Sequence, residues 1–340
     1  MRPVPRSLIL ACCAVALAAC GSSSASHTST TASTGTGSTA GHTSTTLAPT
    51  ASGPLHFSPL RPLAQGTGLA SISCTATTSC IALDDTGRGY HYDGTTWSAP
   101  VPPTGQALGP GAISVSCATP SLCMAVATAS SQVVSWNGQG WSAPVTLDGA
   151  MGLEAVGCAP TGYCAAVDAE GNAFATDGQG WQGTSGDWGS VSSISCVSSS
   201  FCMSTSGGIS QWNGSSWTQP AQFGTASSLT GVSCPSASFC MAVDQTGQSL
   251  EWNGQAWSAP ASVEPAGVAG AVGAALTGVS CPTTSFCAAV DSQGGVLQWS
   301  GGTWTRTDVD ATRKLTAVSC PSPALCVVVD QSGDVSDGTP

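Results

Sequence analysis

The sequence predicts an all-β fold made of seven copies of one small unit, and three observations carry that prediction. Seven pairs of cysteines recur along the chain, each with five residues between its two members. The first cysteines of successive pairs lie 38 to 47 residues apart, which is a period typical of repeat architectures. Turn residues interrupt every unit at short intervals, and no unit shows the period of a helix.

The unit at residues 229–260 shows which elements to expect. We predict strands over 229–234, 240–243 and 249–252, with a fourth strand around Trp257. Residues 244–247 have the composition of a turn, and Asn253-Gly254 is a strong hairpin signal. Each unit is therefore expected to be a four-stranded antiparallel sheet.

Seven such sheets in series predict a seven-bladed β-propeller, since β-solenoids have shorter repeats and tandem β-sandwiches have longer ones. The last unit stops where the others continue into a tryptophan strand. Residues 55–63 offer a substitute, in which Phe57 takes the tryptophan position and Pro59 the position of a proline. We expect this N-terminal strand to close the ring beside the third strand of the last unit, near Val335, so that no sheet edge stays open.

The paired cysteines are expected to form one disulfide within each blade, across the loop between the first two strands. Opposed residues of antiparallel strands lie within disulfide reach, and such bridges need an oxidising compartment. Zinc is the alternative, but zinc pairs are usually more closely spaced and two must converge on one ion. The expected bridges are Cys74–Cys80, Cys117–Cys123, Cys158–Cys164, Cys196–Cys202, Cys234–Cys240, Cys281–Cys287 and Cys320–Cys326.

The first twenty residues resemble the signal segment of a bacterial lipoprotein. Arg2 and Arg6 precede an apolar run that is too short to span a membrane, and the residues up to Cys20 match the lipobox. The resemblance implies a signal peptide over 1–19, a diacylglycerol on the sulfur of Cys20, and a location on the extracytoplasmic side of the cell membrane. The alternative is an ordinary secretory signal with a chance cysteine.

Composition divides the rest of the chain and limits its function. Residues 20–54 are rich in Ser, Thr and Gly and are expected to form a disordered tether, while 55–340 form the propeller. Only 7% of the residues are charged, and the net charge is −11. Lys314 is the one lysine in the sequence, which excludes a basic surface for nucleic acid.

An aspartate opens the second turn in five of the seven units, and a glycine follows three positions later. A side-chain carboxylate can cap such a turn while glycine takes a positive φ. A ring of calcium ligands is the alternative, but one carboxylate per blade leaves the groups far apart. We therefore favour capping and expect no metal or cofactor. The aspartates are Asp84, Asp168, Asp244, Asp291 and Asp330.

This D-x-x-G pattern, followed by W-N-G, resembles the Asp-box of sialidase-like propellers and the strand ends of WD-repeat proteins. A sialidase-like activity would imply three converging arginines and a tyrosine–glutamate pair. After the predicted signal peptide the chain has four arginines, and only Arg306 and Arg313 are near each other in sequence. No Ser/His/Asp or Cys/His set is evident either, since the ring cysteines are expected to be paired. A sialidase-like or lyase-type enzyme is thus the alternative, and a non-catalytic role is favoured.

Binding is expected on the face that carries the linkers between blades, because these vary in length and charge while the cysteine loops are uniform. The longest linker is 261–276, and the most charged is 306–314. Tryptophan pairs such as Trp252 and Trp257 are expected to pack between blades rather than to bind sugars. The candidate ligand-binding residues are Arg88, Asp187, Trp188, Arg306, Asp308, Asp310 and Arg313.

These observations predict a lipid-anchored, monomeric binding or scaffold module. Its expected partner is an envelope protein or a cell-wall glycan, and the sequence does not separate the two.

Overall fold

A computed structural model describes residues 53–101, 111, 113–147, 149–184, 189–223, 228–263 and 274–340. These residues form strands, turns and loops, and none of them belongs to a helix that could cross a membrane. The predicted signal peptide, residues 20–52 of the predicted tether, Asp187 and Trp188 lie outside the described residues.

The chain enters with two short strands and then forms seven antiparallel sheets in sequence order. The entry strands are β1 (His56–Phe57) and β2 (Arg61–Pro62). Blade one has β3 (Leu69–Ala76), β4 (Ser79–Asp84) and β5 (Gly89–Tyr92). Blade two has β6 (Ile113–Thr119), β7 (Leu122–Ala127), β8 (Gln132–Trp136) and β9 (Val145–Thr146). Blade three has β10 (Leu153–Cys158), β11 (Cys164–Asp168), β12 (Ala173–Thr176) and β13 (Gln182–Thr184).

The remaining blades repeat the pattern. Blade four has β14 (Ser193–Ser198), β15 (Phe201–Thr205) and β16 (Ile209–Trp212). Blade five has β17 (Leu229–Ser236), β18 (Phe239–Asp244), β19 (Gln248–Trp252) and β20 (Ala261–Ser262). Blade six has β21 (Leu276–Thr283), β22 (Phe286–Asp291), β23 (Gly295–Ser300) and β24 (Thr303–Asp308). Blade seven has β25 (Leu315–Ser322), β26 (Leu325–Asp330) and β27 (Asp334–Thr339).

In blades one and four the outer strand is reduced to isolated bridges. Gly89 pairs with Val101 in blade one, and Ile209 pairs with Ala221 in blade four.

The first strand of each blade contacts the first strand of the next, and β25 of blade seven contacts β3 of blade one. The chain is therefore a closed, seven-bladed β-propeller, as the sequence predicts.

Adjacent blades are held together by apolar clusters to which both contribute. Ile81 and Leu83 of blade one, for example, pack with Trp136 and Trp141 of blade two. The third-strand tryptophans of blades two, four, five and six are each less than a tenth exposed. The prediction that the tryptophans mainly fill the wedges between blades is confirmed, because large flat side chains fill the space between diverging sheets.

All seven predicted disulfides are present, and each joins the first two strands of one blade. Their Cα atoms lie 3.9 to 4.1 Å apart. In blades one to four the two cysteines are direct partners in the strand register. Every one of these sulfurs is bonded to its partner, which is the arrangement expected of disulfides.

The N-terminal strands close the ring on the last blade, as expected. Phe57 pairs with Gly338 and Arg61 pairs with Val335, so that β1 and β2 together form the outer strand beside β27. One detail of the prediction is wrong. Phe57 takes the position of Trp257 in blade five, where the repeat proline stands three residues further on. Leu60, and not Pro59, therefore occupies the proline position.

Blade six adds a second hold on the entry segment. The buried amide of Gln298 accepts a hydrogen bond from the Leu55 N–H at 2.9 Å and donates one to the Leu55 carbonyl at 3.3 Å. The Leu55 side chain is itself buried between the last two blades. We call residues 55–62 the clasp, because they join blades six and seven by backbone pairing and by side-chain burial.

Candidate functional site

The five aspartate turns lie on the linker face, and their geometry explains the repeated D-x-x-G pattern. In each turn one carboxylate oxygen accepts the backbone N–H groups two and four residues ahead, at 2.7 to 3.0 Å. The glycines three residues ahead have φ between 77° and 91°. All five aspartates are fully buried. The capping role is thus confirmed. Among the described residues no group of three or more His, Cys, Asp or Glu side chains could hold a metal ion.

Three arginines that the sequence singles out for ligand binding lie against these buried carboxylates. The Arg88 Nε donates to Asp84 at 2.7 Å, and Arg306 is ion-paired with Asp291. Arg313 lies 3.5 Å from Asp330 and 3.2 Å from Asp334. An unpaired buried carboxylate would be costly, so these arginines offset a desolvation penalty. Their binding of a ligand stays a prediction.

The charged linker predicted over 306–314 is shorter than expected. Residues 306–308 belong to the outer strand β24, where cross-strand pairing with β23 extends to Asp308. The Arg306 side chain is only 8% exposed, because its guanidinium turns in toward Asp291. Asp308 remains exposed and accepts a hydrogen bond from the Arg306 Nε at 2.8 Å. The linker proper therefore begins after Asp308.

Two carboxylates near these arginines have shifted pKa values. Burial and the charge of Asp330 raise the pKa of Asp334, while Arg313 partly offsets the effect. Hydrogen bonds from the Thr312 hydroxyl and N–H lower the pKa of Asp310.

The Asp84 turn of blade one is the most elaborate of the five. Burial alone would raise the pKa of Asp84, but hydrogen bonds from Thr86 and Arg88 outweigh it and hold the pKa below its usual value. The Tyr90 hydroxyl donates to the same carboxylate at 3.2 Å, and burial, with the Asp84 charge, raises the pKa of Tyr90 to about 12. Both groups keep one protonation state near neutral pH, so this cluster is a fixed structural unit.

A ring of serine hydroxyls joins the innermost strands, and the sequence analysis did not identify it. The serine before the first cysteine of one blade accepts the N–H of the first cysteine of the next, at 2.8 to 3.0 Å. This occurs at six of the seven interfaces: Ser73–Cys117, Ser116–Cys158, Ser195–Cys234, Ser233–Cys281, Ser280–Cys320 and Ser319–Cys74. The recurring Ser-Cys dipeptide is the signal that could have revealed it.

Blade three has Gly157 at the serine position. A β-carbon there would lie 2.8 Å from the Ile194 carbonyl oxygen of blade four, so the two backbones approach too closely for a side chain. The same interface is instead bridged by Glu154, whose carboxylate accepts the Val191 N–H at 2.8 Å and the Ser190 hydroxyl at 2.8 Å.

The innermost strands surround a central channel with a volume of about 300 Å³. Its walls combine small residues such as Ser71 and Gly231 with β-branched ones such as Ile194, and Glu154 is the charged residue among those that line it. Several wall hydroxyls are already bonded across blades. The Thr277 hydroxyl donates to the Leu315 carbonyl at 2.8 Å, and that of Thr316 donates to the Leu69 carbonyl at 2.6 Å. The residues that line the channel therefore serve mainly to hold neighbouring blades together.

A second cavity opens beside the channel on the linker face, between blades five and six, and we call it the mouth cavity. Its volume is about 490 Å³. Leu229 and Leu276 are buried in its wall, and Gln245, Ser292 and the exposed Lys314 also line it. Lys314 makes no ion pair with any residue in the described ranges. This cavity combines an apolar wall with a positive charge.

Solved structures of other proteins share this fold. YCF48 bound to a D1 peptide has a TM-score of 0.66 at 16% identity, over 85% of this chain and 96% of that one. The WD40 repeats of RRP9 give 0.70 at 9% identity, over 85% and 98%. A catalytically inactive variant of virginiamycin B lyase from Staphylococcus aureus, solved with quinupristin, gives 0.69 at 10% identity, over 84% and 100%.

At these identities the similarity shows the propeller fold alone. No protein-family model matches the sequence, and no curated protein is significantly similar to it.

Proposed function

We propose that this protein is a lipid-anchored, extracytoplasmic binding module whose mouth cavity takes a segment of a partner protein. The observation that carries the proposal is the cavity itself: an opening of about 490 Å³ on the linker face, with buried leucines in its wall and Lys314 at its edge. That volume lies within the range of roughly 300–1,000 Å³ typical of ligand sites.

The chemistry of the cavity favours an acidic segment with an apolar side chain. Leu229 and Leu276 offer an apolar contact surface, while the Lys314 ammonium offers a charge for a carboxylate. The arginines near this face are engaged with buried aspartates, so Lys314 is the cation best placed to meet a partner.

Two further points support a binding role. Propellers of the same fold include one solved with a bound peptide, the YCF48 complex with a D1 peptide. The predicted lipid on Cys20 and the tether after it would hold the ring outside the membrane, where a partner of the envelope is accessible. The seven disulfides agree with such an oxidising location.

Site-specific photocrosslinking in the envelope tests the partner. A photoreactive amino acid at Gln245, on the rim of the mouth cavity, is compared with one at Thr77, an exposed position in a cysteine loop of the opposite face. We expect a defined protein crosslinked from Gln245 and not from Thr77. With that protein purified, Lys314→Glu should weaken binding about tenfold, which corresponds to about 1.4 kcal/mol. Equal crosslinking from both faces, or unchanged affinity of Lys314→Glu, contradicts the proposal.

The anchor is tested separately by Cys20→Ser. This variant should be released from membranes or left unprocessed, since it lacks the sulfur that carries the lipid. A Cys20→Ser protein that is still processed and membrane-bound would show that the lipobox interpretation is wrong.

A further inference from the structure

A groove between the outer parts of blades five and six forms a further cavity, separate from the channel and from the mouth cavity, and it contains a carboxylate to which no structural role has been assigned. Its volume is about 380 Å³. Ser249, Glu251 and Ala261 of blade five line it, and so do Trp299 and Trp304 of blade six. The Trp304 indole N–H donates to the Ser249 hydroxyl at 3.3 Å, which fixes one wall. We call this cavity the tryptophan groove.

Glu251 stands at a register position whose side chain makes a clear contact in three other blades. In each blade this position is the third-strand residue that pairs with the residue directly after the second cysteine. Its occupants are His91, Ser135, Ala175, Gln211, Glu251, Gln298 and Asp337.

Three of these side chains have a clear partner. His91 stacks on Trp136 of the next blade with ring centroids 5.4 Å apart, and Gln298 binds the Leu55 backbone. Asp337 is ion-paired with Arg61. The Glu251 carboxylate, in contrast, makes no hydrogen bond or ion pair to any residue in the ranges that the structure covers.

Blade seven shows what such a carboxylate can hold. Arg61 of the outer strand pairs with Val335 in the strand register, and its guanidinium reaches the carboxylate of Asp337 on the same face. In blade five the residue equivalent to Arg61 is Ala261, which pairs with Ser249. The small side chain of Ala261 leaves open, beside Glu251, the space that a guanidinium fills in blade seven.

We propose that the tryptophan groove binds an arginine side chain of a basic peptide segment. Glu251 supplies the carboxylate that Asp337 supplies to Arg61, and a guanidinium can pair with it through parallel N–H donors. The indoles of Trp299 and Trp304 supply aromatic surface for the same planar cation. Glu251 is the charged residue among those that line the groove, so charge complementarity favours a cationic segment there. This site is separate from the mouth cavity and from the function proposed for it.

The test titrates the full-length protein with an end-blocked Gly-Gly-Arg-Gly-Gly peptide, followed by calorimetry and tryptophan fluorescence. A peptide with citrulline in place of arginine is the matched ligand control, since it keeps the shape and loses the charge. A panel of neutral hexoses tests the other ligand class that a tryptophan-lined groove can take. We expect the arginine peptide to bind and the citrulline peptide to bind at least tenfold more weakly.

Three variants locate the binding. Glu251→Gln should weaken binding of the arginine peptide about tenfold, because it removes the charge and keeps the shape. Ala261→Arg should abolish binding by placing the chain's own guanidinium beside Glu251, as in blade seven. Gln211→Ala, at the equivalent position of blade four, should bind as the parent protein does. Thermal unfolding checks that Ala261→Arg, an exposed position, stays folded.

The proposal is overturned if the arginine peptide shows no binding up to about 10 mM. Affinity that is unchanged in both Glu251→Gln and Ala261→Arg also overturns it, as does binding of hexoses in preference to the arginine peptide.

Discussion

Single side chains join neighbouring blades in this ring. Ser319 is buried, and its hydroxyl accepts the N–H of Cys74 at 2.8 Å across the junction of blades seven and one. The same contact recurs at five other interfaces. In each case the serine hydroxyl is a partner for a backbone N–H in the first strand of the next blade, so the serine connects neighbouring blades.

We predict that Ser319→Ala lowers the free energy of unfolding by about 1–2 kcal/mol, because the Cys74 N–H then loses its acceptor. Denaturant unfolding of the oxidised protein measures the loss. The control is Ser332→Ala, an exposed position in a turn of the same blade, which should change little. Equal effects of the two substitutions would mean that the serine ring does not stabilise the fold.

Asp84 differs from the other turn aspartates in its partners. It caps its turn, pairs with Arg88 and accepts the Tyr90 hydroxyl, and its pKa is held below the usual value. Because the folded-state pKa is lower than the unfolded value of about 3.9, the stability that this carboxylate contributes is fully present above that pH. The contribution is lost as the pH falls through the folded-state pKa.

We predict that Asp84→Asn destabilises the protein by about 1–3 kcal/mol at neutral pH, since the partly exposed Arg88 then loses its charged hydrogen-bond partner. The difference between parent and variant should shrink as the pH falls below about 4. Asp244→Asn is the matched control, because Asp244 caps the same kind of turn with Thr246 and Gln248 and no arginine. A difference in stability that stays constant down to about pH 2 would contradict the assignment.

At the scale of elements, the clasp decides whether the ring is closed. β1 and β2 supply the outer strand of blade seven, and Leu55 is buried under the amide of Gln298. Arg61 ties the same segment to Asp337. The ring of a β-propeller leaves no open edge only when its last blade is complete, and here the completing strand comes from the opposite end of the chain.

Two truncations separate the tether from the clasp. Deleting residues 21–50 should leave the melting temperature unchanged, since no residue of the clasp is removed. Deleting residues 21–63 should lower it by about 10 °C or more, because several kcal/mol of burial and strand pairing are lost. It should also promote association through the exposed edge of β27, measurable by light scattering. Equal melting temperatures would refute the closure.

At the scale of the whole molecule, stability depends on seven short covalent loops. Each disulfide spans six positions of sequence, and a loop of that size restricts the unfolded chain by roughly 2 kcal/mol. Seven such contributions together are comparable with the 5–15 kcal/mol that stabilises a typical domain. Few charged residues and many glycines leave other contributions small, so the fold is expected to need an oxidising compartment.

We therefore predict that a thiol reductant unfolds the ring without any denaturant, seen as a red shift of tryptophan emission when the inter-blade indoles meet water. The pair variant Cys234→Ser with Cys240→Ser should stay folded but lose about 2 kcal/mol. Replacing Ser236 and Ser238 in the same loop by Ala should cost less, because the bridge is kept. Native emission after complete reduction would show that the bridges are dispensable.

The sequence by itself determined the repeat, the seven blades, the disulfide pairing and the closing strand. Local sequence patterns predict all four. These patterns are the spacing of the cysteines, the turn residues, and an N-terminal segment that resembles the strand missing at the other end. The turn role of Asp84 and its equivalents was also predictable, because an aspartate capping a tight turn acts within five residues of chain.

Only the tertiary structure decided what the charged side chains do. Arg306 and Asp291 lie 15 residues apart, and nothing in either local pattern shows that one neutralises the other. The tryptophan groove likewise depends on Glu251 of one blade facing Trp299 and Trp304 of the next. Local spacing specifies a blade because its strands are consecutive, whereas a cavity between blades depends on which side chains two separate sheets bring together.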